Sequence, residues 1–370
     1  MTKVQAAADF VFRLAPGLVA RVDGCSRNPA LPAPMKFALR VLVVLTLVGL
    51  DALRAADVPA RKPGDYPLGP DSLPQVGVPQ GRLEGPIEFH SRIFAGTVRR
   101  YWIFVPAQYV AEKPACLLVF QDGQRAINPK GALRIPQVLE NLIHQKEIPV
   151  TIGVFITPGN KSEHYPDTLG MSNPNHRAPE YDELNDAYAR MLIDEILPEV
   201  AEKYRITGDV DGRVIGGESS GAICAFTVAW HRPDYFRKVI STIGSFTSIG
   251  YHPAHDGQPA ISGGEIYPTL IRREPPKPIR IFLQDGTNDL SNSQPNGLFP
   301  DSITLSNQFG NWHLANEQMV SAFEYANRVA PVGAPRYDMA YEWGDGAHQG
   351  NHGGAILPNI LRWMWRDWPK

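Results

Sequence analysis

Apolar residues fall along the chain in short unbroken runs, separated by segments of helical spacing. Cys116–Phe120, Val150–Ile156, Arg213–Gly216, Val239–Ile243 and Ile279–Leu283 are such runs. Runs without alternation suit strands buried on both faces, as in a parallel sheet covered by helices. Upstream, Ile87–Phe94 and Val98–Val105 carry much of a period-two pattern around Ala95-Gly96-Thr97, which predicts an antiparallel hairpin at one sheet edge. Leu184, Tyr188, Met191, Leu192 and Ile196 share one face of a long helix ending near Tyr204. Trp312, Leu314, Met319, Phe323 and Tyr325 mark a second helix, and Pro358 is placed in the first turn of a last one. Strand and helix alternate, so the expectation is an α/β fold: three layers around one mainly parallel sheet, in a single domain over residues 86–370.

The N-terminal region breaks this pattern. A basic stretch, Met35–Arg40, precedes the ten-residue apolar run Val41–Leu50, and small residues follow at Ala52, Ala55 and Ala56. Basic, apolar, then small is the layout of a secretory signal, expected over residues 35–56, with residues 1–34 an over-extended reading frame. The run is too short for a comfortable transmembrane anchor, so no stable membrane attachment is expected after cleavage, and the protein is expected to be secreted or periplasmic. Residues 57–85, dense in proline and glycine, read as an extended leader into the fold.

Composition narrows the function classes. Of 370 residues, 43% are hydrophobic and 20% charged, which fits a large buried core. Cleavage after the signal would leave 29 basic against 35 acidic side chains, with no basic block, so nucleic acid is not an expected partner. Cys25, Cys116 and Cys224 form no C-x-x-C pair, and the last two read as buried small hydrophobes.

Gly217-Glu218-Ser219-Ser220-Gly221 carries the chemistry. It follows an apolar run and precedes a helical segment, and strand, G-x-S-x-G, helix is the layout of a nucleophile elbow. The turn exposes the serine oxygen, and the glycines avoid collision with neighbouring backbone. A serine hydroxyl needs a base, and the base needs orienting. Downstream, Phe282–Asp289 places two carboxylates, Asp285 and Asp289, just after a strand. Asp285 leads directly into Gly286 and could simply make the turn, which favours Asp289. Tyr341–His348 ends another strand in a glycine-rich loop carrying His348. His352 is its rival, and the His348-x-x-x-His352 spacing raises a zinc reading. That reading is weakened by Gly350, Gly353 and Gly354, which make a helix there unexpected, and by the missing H-E-x-x-H glutamate.

Taken together, these stretches resemble the enterochelin-esterase-like branch of the Putative esterase family, related to the feruloyl and acetyl-xylan esterases of carbohydrate esterase family one. The matching segments are Leu117–Gly123, Tyr181–Pro198, Gly216–Gly221, Phe282–Asp289 and Trp343–His348. The resemblance implies an α/β-hydrolase fold, ester hydrolysis without metal or other cofactor, and a triad of Ser219, Asp289 and His348. An oxyanion hole is expected from the backbone of Ser220 together with Asp122 or Gly123. Trp312 and Trp343 are candidate substrate-stacking residues. The segment between Asn160 and Tyr181 is longer than in similar chains, so the ester itself stays open among carbohydrate-linked, aromatic-acid and siderophore types. Two alternatives use the same fold: acyl transfer to a sugar hydroxyl, and a catalytically silent binding protein. The expected partner is a small-molecule or oligosaccharide ester.

Overall fold

The structure is a computed structural model that describes residues 62–167, 174–251, 257, 259, 262–291 and 310–368. The expected signal over 35–56, residues 1–34 and Cys25 lie outside the described residues.

Eight strands form one sheet. They are β1 (Arg82–His90), β2 (Val98–Val105), β3 (Cys116–Gln121), β4 (Thr151–Ile156), β5 (Arg213–Glu218), β6 (Lys238–Thr242), β7 (Arg280–Gly286) and β8 (Asp338–Gly344). Their spatial order is β1-β2-β4-β3-β5-β6-β7-β8. β1 and β2 pair antiparallel, β2 joins β4 antiparallel, and every later pairing is parallel. The unbroken apolar runs thus became central strands, buried at every position of β3, β4 and β6. The edge hairpin lies earlier than its pattern suggested. β1 starts at Arg82, while Ile93 and Phe94 sit in the turn, where the Glu195 carboxylate accepts the backbone N–H of Arg92 and Ile93 and the Ser91 hydroxyl.

The helices used below are α1 (Gly123–Ala126), α2 (Ile135–His144), α3 (Arg177–Tyr181), α4 (residues 187–203), α5 (Ser220–His231), α6 (Tyr267–Arg273), α7 (Trp312–Val329) and α8 (Asn351–Met364). Side chains alternate across each strand, so Leu117, Val119 and Ile215 meet α4, α5, α6 and α7 on one face. Leu118, Phe120 and Val214 meet α2 and α8 on the other. The result is three layers.

Three helices depart from the sequence reading. The long helix α4 contains a π-helical stretch, Met191–Ile196, before Leu197–Lys203. Pro198 has no N–H to give and its ring crowds the preceding turn, and a widened turn relieves both. α6 forms between β6 and β7, a stretch in which the sequence analysis placed no helix. Tyr267 and Ile271, four residues apart, are its large apolar side chains fully buried in the core. α8 begins at Asn351, so Pro358 stands in its interior and not in its first turn. Gly353 and Gly354 lie within it because a Cβ on Gly354 would collide with the carbonyl of Ala132. Close packing there overrides the poor helix propensity of glycine.

The proline-rich segment before β1 is packed against the domain. Asn141 Nδ2 donates to the carbonyls of Asp71 (2.8 Å) and Leu73 (2.9 Å), and Arg362 pairs with Asp71 at 2.6 Å. Among the described residues no helix is long and apolar enough to cross a membrane.

Candidate active site

The chain order reverses at β3, which is followed by β4 on one side and β5 on the other. A crevice opens beyond the carboxyl ends of strands at such a switch, and loops there build sites. Ser219 sits at the end of β5, with φ 56° and ψ −123°, a conformation that a non-glycine residue holds only under strain. Its backbone is fixed by N–H donation to the Thr242 carbonyl at 3.1 Å. A Cβ on Gly217 would strike the backbone of Gly221, so the elbow closes only with glycine at that position.

Three strand-end loops bring the predicted side chains together. His348 Nε2 lies 2.8 Å from Ser219 Oγ, and His348 Nδ1 lies 2.6 Å from Asp289 Oδ1. The two loops carrying His348 and Asp289 are themselves joined. Thr287 N–H donates to Gly344 O at 2.9 Å, Asn288 N–H to Gly346 O at 3.2 Å, and Asn288 Nδ2 to Asp345 O at 2.8 Å. A fourth group reaches in from upstream: the Tyr66 hydroxyl donates to Asp345 Oδ1 (2.6 Å) and accepts the Asp345 N–H (2.8 Å). The Tyr66 ring stacks on His352 at 4.1 Å.

The carboxylates differ sharply. Burial alone would raise Asp289, yet the hydrogen bond from His348 and the neighbouring Asp285 carboxyl bring it below its ordinary value. Asp285 is pushed up to about 10, first by burial and then by the negative neighbour Asp289. The pair is thus driven apart, Asp285 toward its neutral form and Asp289 toward its charged one. Asp285 accepts from Gly286 N–H (2.7 Å) and Asn316 Nδ2 (2.9 Å) and does not reach the imidazole.

The remaining predicted residues divide. Ser220 and Gly123 each open a helix, α5 and α1, whose first N–H groups have no intrahelical acceptor. A Cβ on Gly221 would sit 3.0 Å from Gln121 Cβ, so the two helix starts lie side by side. Asp122 is different: its N–H donates to the Tyr181 hydroxyl at 3.3 Å. Its carboxylate is clamped by Arg177, Nε at 3.0 Å and a terminal nitrogen at 2.7 Å. Trp312 is only 5% exposed, meets the His348 ring edge-to-face at 5.8 Å, and donates its indole N–H to Ser245. Trp343 stacks on Tyr341 and meets His313, with no ring contact to His348.

The histidine pair does not converge on a metal. His352 Nδ1 is 3.0 Å from Gln284 Nε2 and its Nε2 is 3.1 Å from Glu342, while His348 faces Ser219 and Asp289. Cys116 and Cys224 are free and buried, Cys224 on α5 behind the elbow, where burial first of all holds its thiol protonated.

Two participants escaped the sequence reading. Ser245 Oγ lies 3.1 Å from Ser219 Oγ, and its only advance signal was a place just past the end of β6. Asp182 lies beside Ser220 and is raised to about 6, burial outweighing the Ser220 hydrogen bond. Residues 292–309, between β7 and α7, lie outside the described residues.

Iron(III) enterobactin esterase of Escherichia coli K12 is 26% identical over 148 residues, which is 40% of this chain and 32% of that protein. The aligned part therefore spans about a third of the length of the curated relatives it matches. Among known structures, the enterobactin esterase from Shigella flexneri in the presence of 2,3-di-hydroxy-N-benzoyl-serine aligns with a TM-score of 0.55 at 22% identity, covering 81% of this chain and 63% of that one. A ferulic acid esterase of carbohydrate esterase family one from Anaeromyces mucronatus, in complex with ferulic acid, aligns with a TM-score of 0.54 at 17% identity, covering 83% and 97%. At such identities the likeness establishes the fold, which is of α/β-hydrolase type. A sequence model described as Putative esterase matches residues 95–349, well over half the chain, and the protein belongs to that family.

Proposed function

We propose that the chain is a serine carboxylic-ester hydrolase working through an acyl-enzyme, with Ser219 as nucleophile, His348 as general base and acid, and Asp289 orienting the imidazole. One observation carries this reading: a single imidazole bridges Ser219 Oγ and a buried carboxylate at 2.8 and 2.6 Å. Asp289 accepts from Nδ1, which leaves the Nε2 lone pair for the serine proton. Ser219 attacks the ester carbonyl as His348 takes its proton, and His348 then protonates the departing alcohol. Water repeats the sequence on the acyl-enzyme. The tetrahedral oxyanion is received by the N–H groups of Ser220 and Gly123, at the adjoining starts of α5 and α1.

The names of the relatives favour an ester of siderophore or aromatic-acid type, with carbohydrate-linked esters as the third class. Export is part of the proposal, resting on the basic-apolar-small order of residues 35–56. N-terminal sequencing of the protein recovered outside the cytoplasm should start near Ala56.

The decisive experiment is Ser219→Ala. It should abolish hydrolysis of a p-nitrophenyl ester and labelling by a fluorophosphonate while leaving the melting curve in place. Undiminished turnover would remove Ser219 from the mechanism. A panel of acetyl, feruloyl and catecholate esters then ranks the substrate classes.

A further inference from the structure

The triad leaves one hydroxyl at the nucleophile without a role. Ser245 is completely buried, its Oγ 3.1 Å from Ser219 Oγ and 2.9 Å from the indole nitrogen of Trp312. Its backbone N–H also donates to the Ser219 carbonyl at 3.3 Å. The segment that carries it is constrained. Ile243 has φ 46°, a left-handed conformation that a β-branched residue adopts only under strain. Asn316 Nδ2 from α7 holds the Gly244 carbonyl at 2.9 Å. Strain at a branched residue, backed by a dedicated side-chain anchor, is what a functional constraint looks like.

The hydrogens of this chain of contacts can be assigned by elimination. An indole nitrogen only donates, and an ionised carboxylate only accepts. Asp289 therefore takes the hydrogen of His348 Nδ1, and Nε2 accepts the single hydrogen of Ser219. In the Ser219–Ser245 contact the hydrogen then belongs to Ser245, whose own oxygen accepts from Trp312. Every hydroxyl donates once and accepts once, and the direction runs from Trp312 through Ser245, Ser219 and His348 to Asp289.

We propose that Ser245 is a further catalytic residue that donates a hydrogen bond to Ser219 Oγ, with Trp312 as the positioning residue that fixes the direction of that bond. This rests on the hydrolase reading above. In deacylation, water adds to the acyl carbon and gives its proton to His348. The bond from carbon to Oγ then breaks, Oγ leaves with the electron pair, and it takes that proton back from His348, returning neutral serine, neutral imidazole and the free acid. The ester oxygen of the acyl-enzyme is a weak acceptor, whereas the departing Oγ carries growing negative charge. The bond from Ser245 strengthens on the way to that transition state, and such a gain accelerates the step. In acylation Oγ starts as a hydroxyl that already accepts from Ser245, so the gain is smaller.

The test is pre-steady-state hydrolysis of p-nitrophenyl acetate by the full chain. Ser245→Ala should slow deacylation about 10- to 100-fold, the range of one hydrogen bond to a charged oxygen, while acylation slows less and a burst of nitrophenol appears. Ser245→Thr, which keeps the hydroxyl, should restore most of the rate. Trp312→Phe should show the same asymmetry more weakly, and it serves as the second variant if Ser245→Ala does not fold. In the double variant the tryptophan change should add nothing, since its effect passes through Ser245. Fluorophosphonate labelling of Ser219 should persist in all four variants, which separates this result from a failure of the triad itself. Equal slowing of both steps, unchanged deacylation, or multiplicative effects in the double variant would overturn the proposal.

Discussion

Asp285 and Asp289, four residues apart at the end of β7, are pushed in opposite directions: burial raises Asp285, while hydrogen bonds, first of all from His348, together outweigh burial and lower Asp289. Asp289 Oδ2 is buried and receives no fixed N–H or O–H donor. The proton retained by Asp285 supplies one. Of two carboxyls so close in sequence, one meets His348 Nδ1 at 2.6 Å and the other is driven toward its neutral form.

Replacing the charged member should be severe. Asp289→Asn is expected to lower kcat by about 10⁴-fold, because an amide no longer selects the tautomer with its hydrogen on Nδ1. Steady-state kinetics on a p-nitrophenyl ester would measure this, and a loss below tenfold would assign the orienting role elsewhere.

Asp285 makes a prediction about stability and pH. Its folded value is raised to about 10 against an ordinary 3.8. Between those limits the folded chain keeps a proton that the unfolded chain has released, so this group lowers stability as pH rises. Asp285→Asn mimics the neutral form. Urea unfolding at pH 5 and pH 9 should give a smaller loss of stability on going to pH 9 in the variant than in the parent protein.

The Arg99–Glu180 pair is fully buried, at 2.6 Å, and Glu180 also accepts the Gly159 N–H at 3.0 Å. Arg99→Met would strand a buried carboxylate, and breaking one side of such a pair costs about 3–5 kcal/mol. A denaturant midpoint close to that of the parent protein would contradict this.

Tyr66 tests the upstream segment. Tyr66→Phe keeps the stack on His352 but removes both hydrogen bonds to Asp345, three residues before His348. The expected result is a stability loss of about 1–3 kcal/mol and a several-fold lower kcat/KM. Unchanged kinetics would detach the segment from the site.

Gly354→Ala should destabilise despite alanine's better helix propensity, because its Cβ meets the Ala132 carbonyl on α8's packed face. A higher melting temperature would be the contrary outcome.

Much of this was legible in the residues. Unbroken apolar runs marked the five central parallel strands, because strands covered on both faces have no solvent side to alternate with. The elbow was legible because its glycines are required by local backbone contacts. Less legible were the start of β1, the π-helical stretch in α4, and α6. The first and last are set by contacts with distant residues, such as Glu195 against the 91–93 turn, which leave no local period, while the π-helical stretch answers Pro198 without altering the apolar spacing.

What the sequence determined by itself was the alternation of strands and helices and the candidates for the proposed triad, Ser219, His348 and one of Asp285 and Asp289, because these follow from side-chain periodicity and from chemistry confined to short motifs. Only the tertiary structure decided that Asp285 is driven toward its neutral form, that Asp122 gives its N–H to Tyr181, and that Ser245 and Trp312 stand at the nucleophile. Those facts depend on burial and on distances between separate loops, and burial is a property of the folded chain as a whole.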